Sequence, residues 1–197
     1  MRKLLYTAIC ALMLTSCVNG TMNQKAKLND TCHVERYFHE FMAQFPDGLD
    51  NDIKKDRMNA KFVADITDSL KSSNWLLEDF PIRFEGVKTI GSKYYVHFQS
   101  WLQPDSFDFK DYDFHEFAFD IIGEVPLEVA ENLVEDNYYI IHGKLNRFIT
   151  HEEFSIYSDG MAYSPNVGIE KEIIGDNINW HLGEMFFDID SISPYTK

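Results

Sequence analysis

The stretch that decides the fold reads IRFEGVKTI from Ile82 to Ile90, then Gly91-Ser92, then KYYVHFQSW from Lys93 to Trp101. In both long segments large apolar residues alternate with polar ones, as expected of half-buried strands. The glycine-serine pair between them is typical of a tight turn, so the stretch predicts a β-hairpin. The alternation of the first strand changes phase after Gly86, which indicates a β-bulge.

Two more strands, a helix and a final strand are predicted downstream of the hairpin. Their ranges are Glu116–Ile122 for the third strand, Pro126–Val134 for the helix, Tyr138–Phe148 for the fourth strand and Glu184–Ile192 for the last. Proline suits the first turn of a helix, because the amide proton that it lacks has no partner there. The predicted order of elements is therefore β-β-β-α-β-β.

This order resembles that of the OB-fold, a five-stranded, partly open barrel. The resemblance implies that the helix at 126–134 closes the floor of the barrel and that an enlarged loop before the last strand flanks the ligand. A β-sandwich or an α+β sheet would share much of the pattern and is the alternative. We therefore predict a mixed α+β, mostly β fold, with an OB-fold-like domain over residues 81–197.

Two amphipathic helices are predicted upstream of the barrel, in a helical appendage over residues 30–80. The first is capped by Asp30-Thr31 and ends at Pro46-Asp47-Gly48, with apolar residues at helical spacing between them. The second runs from Asp52 to Lys71 and carries one apolar stripe. We expect the helices to pack on each other and on the outside of the barrel. Recruitment of another protein or of a second copy is the alternative.

The first 17 residues indicate export and lipidation. Arg2 and Lys3 precede an apolar segment that is shorter than the roughly 20 residues that a membrane-spanning helix needs. Leu14-Thr15-Ser16-Cys17 resembles the lipobox of bacterial lipoproteins, in which cleavage precedes the cysteine and the thiol is acylated. The resemblance implies a signal peptide over residues 1–16 and a lipidated Cys17 that anchors the protein in a membrane of the cell envelope, facing the periplasm or the outer surface. Residues 17–29 are then a flexible tether.

Charge restricts the class of partner. The 197 residues carry a net charge of -14, which becomes -16 when the two cations Arg2 and Lys3 leave with the signal peptide. A chain this acidic repels phosphate backbones, so nucleic acid is disfavoured. A neutral glycan or a basic protein is the better electrostatic match, and the sequence does not rank the two.

The candidate ligand-binding residues are aromatic. In the long connection from Ile149 to Asn179, Ser158-Asp159-Gly160 predicts the turn of a small hairpin whose first strand is Phe154–Tyr157. Sugars and bases stack on aromatic rings, so we predict a binding platform. Its members are Trp101, Tyr157, Tyr163 and Trp180. Packing of the same rings in the core is the alternative.

A second long connection, Leu102 to His115, is acidic. It carries four carboxylates that alternate with aromatic residues, at Asp105, Asp108, Asp111 and Asp113. Carboxylate oxygens are ligands that calcium prefers, although the spacing differs from that of the EF-hand loop. The alternation of a half-buried strand explains the same pattern. A calcium-binding structural lipoprotein is therefore an alternative function, and no other cofactor is predicted.

The sequence carries no recognisable catalytic motif. It has no nucleophile elbow, no glycine-rich phosphate loop and no pair of cysteines or histidines at usable metal-ligand spacing. Cys32 is the one cysteine outside the lipoprotein signal, and no histidine and acid accompany it in a known catalytic pattern. We therefore predict a non-catalytic binding module, with a periplasmic hydrolase as a further alternative.

Overall fold

The computed structural model describes residues 32–100, 114–162, 167–169 and 178–196. All the elements in these ranges belong to one mixed α+β unit, His33–Lys197. The helices are α1 His33–Gln44, α2 Asp52–Ser72, α3 Leu127–Ala130 and α4 His151–Tyr157. The strands are β1 Ile82–Ile90, β2 Lys93–Gln99, β3 Phe114–Val125, β4 Tyr138–Phe148, β5 Gly168–Ile169 and β6 Ile178–Pro194.

The strands form one sheet that curls into a partly closed ring. Their order is β3-β2-β1-β4-β6-β5, and an additional pairing joins β3 to β6. These two strands run parallel, whereas the other paired strands are antiparallel. β1 meets β4 through Ile82↔Tyr139 and Arg83↔Tyr138, a short contact that completes the ring. The architecture is therefore roughly barrel-like.

The local sequence patterns located several elements correctly. The β1–β2 hairpin is present, and its register shifts between Phe84 and Gly86, as a bulge requires. β4 has the predicted bounds. β3 and β6 are both longer than Glu116–Ile122 and Glu184–Ile192, because each pairs with the other along much of its length.

Two sequence predictions in this part of the fold are wrong. Phe154–Tyr157 is not a hairpin strand but the second half of α4, so a helix and the short β5 separate β4 from β6. The helix predicted at Pro126–Val134 ends at Ala130, its one buried residue. Beyond this point the helical bonding pattern is lost, because the amides of Asn132 and Leu133 bond only three residues back, to Val129 and Ala130. The chain then reaches β1, where the backbone groups of Asp136 and Asn137 bond to those of Phe84.

The largest aromatic cluster joins α1 and α2 to the sheet. The ring centroids of Phe38 in α1 and Phe62 in α2 lie 4.6 and 4.7 Å from that of Trp180 in β6. Phe38 also contacts Phe117 of β3, at 5.2 Å. The two helices therefore pack on each other and on the sheet, where they bury a continuous apolar surface.

β2 is buried on both of its faces. Val96 and Phe98 face one way, and Tyr95 and His97 face the other, yet all four are buried. The second face is covered by α4, whose Phe154 forms a small apolar core with Tyr95 and Ile122. This outer layer also encloses a group of polar side chains around His97.

Candidate functional site

Helix α4 is capped at its start and bonded to the barrel at its end. Thr150 caps its start, because the Thr150 hydroxyl accepts a hydrogen bond from the amide of Glu153 at 3.2 Å. At the other end, Nζ of Lys88 donates to the carbonyl oxygens of Ser155 and Ser158, at 3.1 and 3.4 Å. A cation at this end also complements the helix dipole. The position of Ser158, just past the helix, is therefore well defined.

His97 lies between a serine and a carboxylate. Its Nδ1 is 3.1 Å from Oγ of Ser158, and its Nε2 is 2.8 Å from Oδ1 of Asp120. A carboxylate accepts hydrogen bonds, so we assign the imidazole proton to Nε2, which leaves the lone pair of Nδ1 facing the serine hydroxyl. Ser158 Oγ also accepts a hydrogen bond from the amide of Gly160, at 2.9 Å. Both ring nitrogens of His97 thus have a partner, and Ser158 Oγ has two.

Two carboxyl groups are buried side by side in the same cluster. Asp120 on β3 lies opposite Glu184 on β6 in the register of the two strands. The exposed fractions of these residues are 0% and 1%. Asp120 also accepts from Gln99 Nε2 at 3.0 Å, whereas Glu184 Oε1 lies 3.3 Å from Nδ1 of His151. Burial raises the pKa of Glu184, and the nearby charge of Asp120 raises it further. The hydrogen bond from His151 acts in the opposite direction and lowers this pKa.

A pocket of about 180 Å³ opens beside this cluster. It lies between the bulged part of β1, the outer face of β2 and the end of α4, and we call it the α4 pocket. Its lining combines His97 and Ser158 of the cluster with the surrounding residues Glu85, Gly86, Val87, Lys88, Glu135, Tyr157, Asp159 and Gly160.

The charged groups of the α4 pocket are mostly acidic. Glu85 is the extra residue of the β1 bulge and pairs with Arg83, at 2.6 Å, while Asp159 pairs with Lys88, at 3.0 Å. Glu135 adds an exposed carboxylate. This lining disfavours an anion and suits a neutral or cationic group.

Of the four predicted platform residues, the structure describes two, Tyr157 and Trp180, and these lie in different surroundings. Tyr157 lines the α4 pocket, half-buried, with its ring centroid 4.8 Å from that of Tyr95. Trp180 is 0% exposed and packs against Phe38 of α1 and Phe62 of α2, so it offers no face for a stacked ligand. Trp101 and Tyr163 lie outside the described residues.

The predicted calcium and lipidation sites also fall outside the described ranges. This applies to Cys17 and to the four aspartates, Asp105, Asp108, Asp111 and Asp113. Among the residues that the structure describes, no group of three or more His, Cys, Asp or Glu side chains is arranged to hold a metal ion. Within the same ranges, no helix is long and apolar enough to cross a membrane.

Sequence reasoning missed the cluster, although two signals pointed to it. Thr150 and Glu153 form the S/T-x-x-E pattern that starts a helix, which would have argued against a strand at Phe154–Tyr157. Asp120 stands in the middle of the apolar run FAFDII, where a carboxylate needs a partner. The partners themselves are distant in sequence, and their convergence required the fold.

Comparisons with known proteins found no match. No protein-family model, curated protein or solved structure matches this chain. The case for the α4 pocket as a functional site therefore rests on the geometry and chemistry of its own residues.

Proposed function

We propose that this protein is a lipid-anchored protein of the bacterial cell envelope that binds a neutral glycan or a basic protein through the α4 pocket. The observation that carries the proposal is the pocket itself, which combines the ring of Tyr157 with the carboxylates of Glu85 and Glu135. An aromatic wall suits the apolar face of a sugar or the stem of a lysine or arginine. The carboxylates suit hydroxyl groups or a cation.

We further propose that the barrel is an OB-fold with an insertion. Five long strands form a partly closed ring, and α3 lies between the third and the fourth strand. α4 and β5 lie in the connection between β4 and β6, which corresponds to a loop that flanks the ligand in OB-folds. The α4 pocket lies beside this connection, and that position supports a role in binding.

The size of the pocket limits what enters it. Pockets for drug-sized ligands commonly span roughly 300 to 1,000 Å³, and the α4 pocket has about 180 Å³. One sugar residue or one basic side chain is a suitable occupant, with the rest of the partner on the surrounding surface. We therefore expect weak binding by single groups and stronger binding by longer ligands.

Binding to neutral oligosaccharides and to lysine-rich peptides tests the proposal. The full-length chain is titrated with each probe at low and at high salt, beside Glu135→Gln. A control variant, Glu131→Gln, removes another exposed carboxylate outside the pocket. We expect Glu135→Gln to weaken peptide binding several-fold and Glu131→Gln to leave it unchanged. High salt should weaken binding of the basic peptide, because it screens the attraction between charges, and should leave binding of the neutral sugar unchanged.

The proposal fails if neither class of probe binds. It also fails if binding occurs but Tyr157→Ala and Glu135→Gln both leave it unchanged, since the ligand would then use another surface. Tight binding of single-stranded nucleic acid at physiological salt would contradict the argument from net charge.

A further inference from the structure

We propose that Ser158 is a nucleophile, activated by His97 and Asp120, and that it cleaves short-chain esters in the α4 pocket. This activity goes beyond ligand binding and does not depend on which partner the protein holds. It departs from the non-catalytic module that the sequence predicts. The reason is a set of contacts between residues that are 23 to 61 positions apart.

The three residues have the connections that a serine nucleophile needs. Activation requires a base within hydrogen-bond reach of the hydroxyl and a third group that orients the base. Ser158 Oγ lies 3.1 Å from the acceptor nitrogen of His97, and the opposite nitrogen lies 2.8 Å from Asp120. Here Nδ1 faces the serine and Nε2 faces the acid, which is the reverse of the arrangement in the trypsin-like enzymes. The roles of base and orienting acid depend on these contacts, and either ring nitrogen can act as the base.

The cluster also carries a cost that packing alone does not explain. Asp120 and Glu184 bring two carboxyl groups together at 0% and 1% exposure. An apolar filling is often as stable as buried ionisable groups, or more stable. The same outer layer has such a filling a few residues away, in Tyr95, Ile122 and Phe154. Asp120 contacts His97, which lines the α4 pocket, and buried ionisable groups next to a pocket are enriched at functional sites.

The reaction that these groups support is ester hydrolysis through an acyl-enzyme. The Oγ of Ser158 attacks the ester carbonyl carbon while Nδ1 of His97 takes the hydroxyl proton; the bond to the alcohol then breaks, and the alcohol leaves with that proton. A water molecule next attacks the acyl carbon and gives a proton to His97, which returns it to Ser158 as the acid leaves. Ester and water are consumed, and acid and alcohol are formed. Asp120 is a positioning residue that stabilises the imidazolium.

The pocket indicates the class of substrate. A volume of about 180 Å³ next to Ser158 has room for a short acyl group such as acetyl, whereas a long chain has to share that space with the alcohol part of the ester. The carboxylates of Glu85, Glu135 and Asp159 disfavour an anionic alcohol. The geometry therefore points to a short-chain ester, of which an acetyl ester is the simplest, on a neutral or cationic alcohol.

Covalent labelling tests the proposal directly. The full-length chain is treated with a fluorophosphonate, which reacts with activated serines, and the modified peptide is identified by mass spectrometry. We expect one label per chain, on Ser158. Ser155→Ala is the matched control, since Ser155 lies on α4 three residues away and its hydroxyl bonds to the carbonyl oxygen of His151. This variant should label like the wild type, and Ser158→Ala should not label at all.

Hydrolysis of p-nitrophenyl acetate and of the longer octanoate gives the second readout. We expect Ser158→Ala to lower the acetate rate at least ~100-fold, the size of a typical contribution from general acid–base catalysis, with an unchanged melting temperature. The wild type should prefer acetate to octanoate. Absence of label on Ser158 in the folded wild-type chain overturns the proposal, whatever the variants do. Equal hydrolysis by wild type and Ser158→Ala overturns it as well, and neither result bears on ligand binding.

Discussion

At the scale of single residues, Glu184 is the clearest source of pH dependence. It is 1% exposed on β6, and in the described part of the chain its Oε2 has no hydrogen-bond partner. The groups that act on it are Asp120, His151 and His97. Burial, the first of the causes, raises the pKa of Glu184 above its ordinary 4.5. The folded protein therefore holds this proton to a higher pH than the unfolded chain does.

This difference predicts that Glu184 lowers stability as the pH rises. Above pH 4.5 the unfolded chain releases the proton while the folded chain keeps it, so the free energy of unfolding falls until the folded pKa is passed. Glu184→Gln cannot ionise. Its stability relative to the wild type should therefore increase as the pH rises above 4.5, until the folded pKa of Glu184 is passed, by about 1.4 kcal/mol for each unit by which that pKa is raised.

Urea unfolding of both proteins across this range measures the effect. Glu131→Gln, which removes an exposed carboxylate on the surface, is the control and should follow the wild type. Stability curves of Glu184→Gln and wild type that stay parallel would contradict the prediction.

Trp180 carries the second residue-scale prediction. Its ring is fully buried and packs against Phe38 and Phe62, so truncation should leave a cavity in the main aromatic cluster. We expect Trp180→Ala to lower the free energy of unfolding by about 3 to 5 kcal/mol. Trp75 is 38% exposed, and Trp75→Ala should cost clearly less. Equal losses in chemical denaturation would show that Trp180 is not the centre of this cluster.

At the scale of elements, the capping of α4 controls the cluster beneath it. Thr150→Ala removes the acceptor for the amide of Glu153, which should cost about 1 kcal/mol. The lost hydrogen bond belongs to a helix of only seven residues. The population of locally opened molecules should therefore increase more than the population of globally unfolded ones. Hydrogen exchange at the amides of Phe154 and Ser158, which bond within α4, should become faster.

Thr150→Ser keeps the hydroxyl and serves as the control for this change. Its exchange rates should match those of the wild type. Unchanged exchange at Phe154 in Thr150→Ala would mean that Lys88 and the apolar contacts hold the helix without its cap.

Elements whose bounds depend on the local sequence pattern could be predicted. Elements whose bounds depend on contacts with residues far away in the sequence could not. The hairpin, its bulge and the bounds of β4 follow from alternation and turn residues within each segment. The extension of β6 back to Ile178 depends on parallel pairing with β3, which no local pattern encodes. The burial of Trp180 likewise depends on helices more than a hundred residues earlier in the chain. In α4, Phe154 and Ile156 are two residues apart, which is the spacing of a strand. The cap at Thr150 nevertheless starts a helix that includes both residues.

At the scale of the whole molecule, the proposed lipid anchor at Cys17 predicts where in the cell the protein is found. The lipobox-like Leu14-Thr15-Ser16-Cys17 predicts that Cys17→Ser releases the protein from the membrane fraction of its cells. Cys10 lies in the preceding apolar segment, so Cys10→Ser should leave the protein in the membrane fraction. Cell fractionation followed by immunoblotting distinguishes the outcomes. Firm membrane retention of Cys17→Ser would mean that another part of the chain is the anchor.

The central claim is that the α4 pocket is the functional site, and amide chemical-shift mapping tests it most directly. The full-length chain, isotope-labelled and held in detergent micelles, is titrated with the oligosaccharide or basic peptide that binds. The account predicts that the largest shifts occur at Glu85–Lys88 and Tyr157–Gly160, the two segments that line the pocket. Shifts confined to α1 and α2, with both pocket segments unchanged, would contradict it.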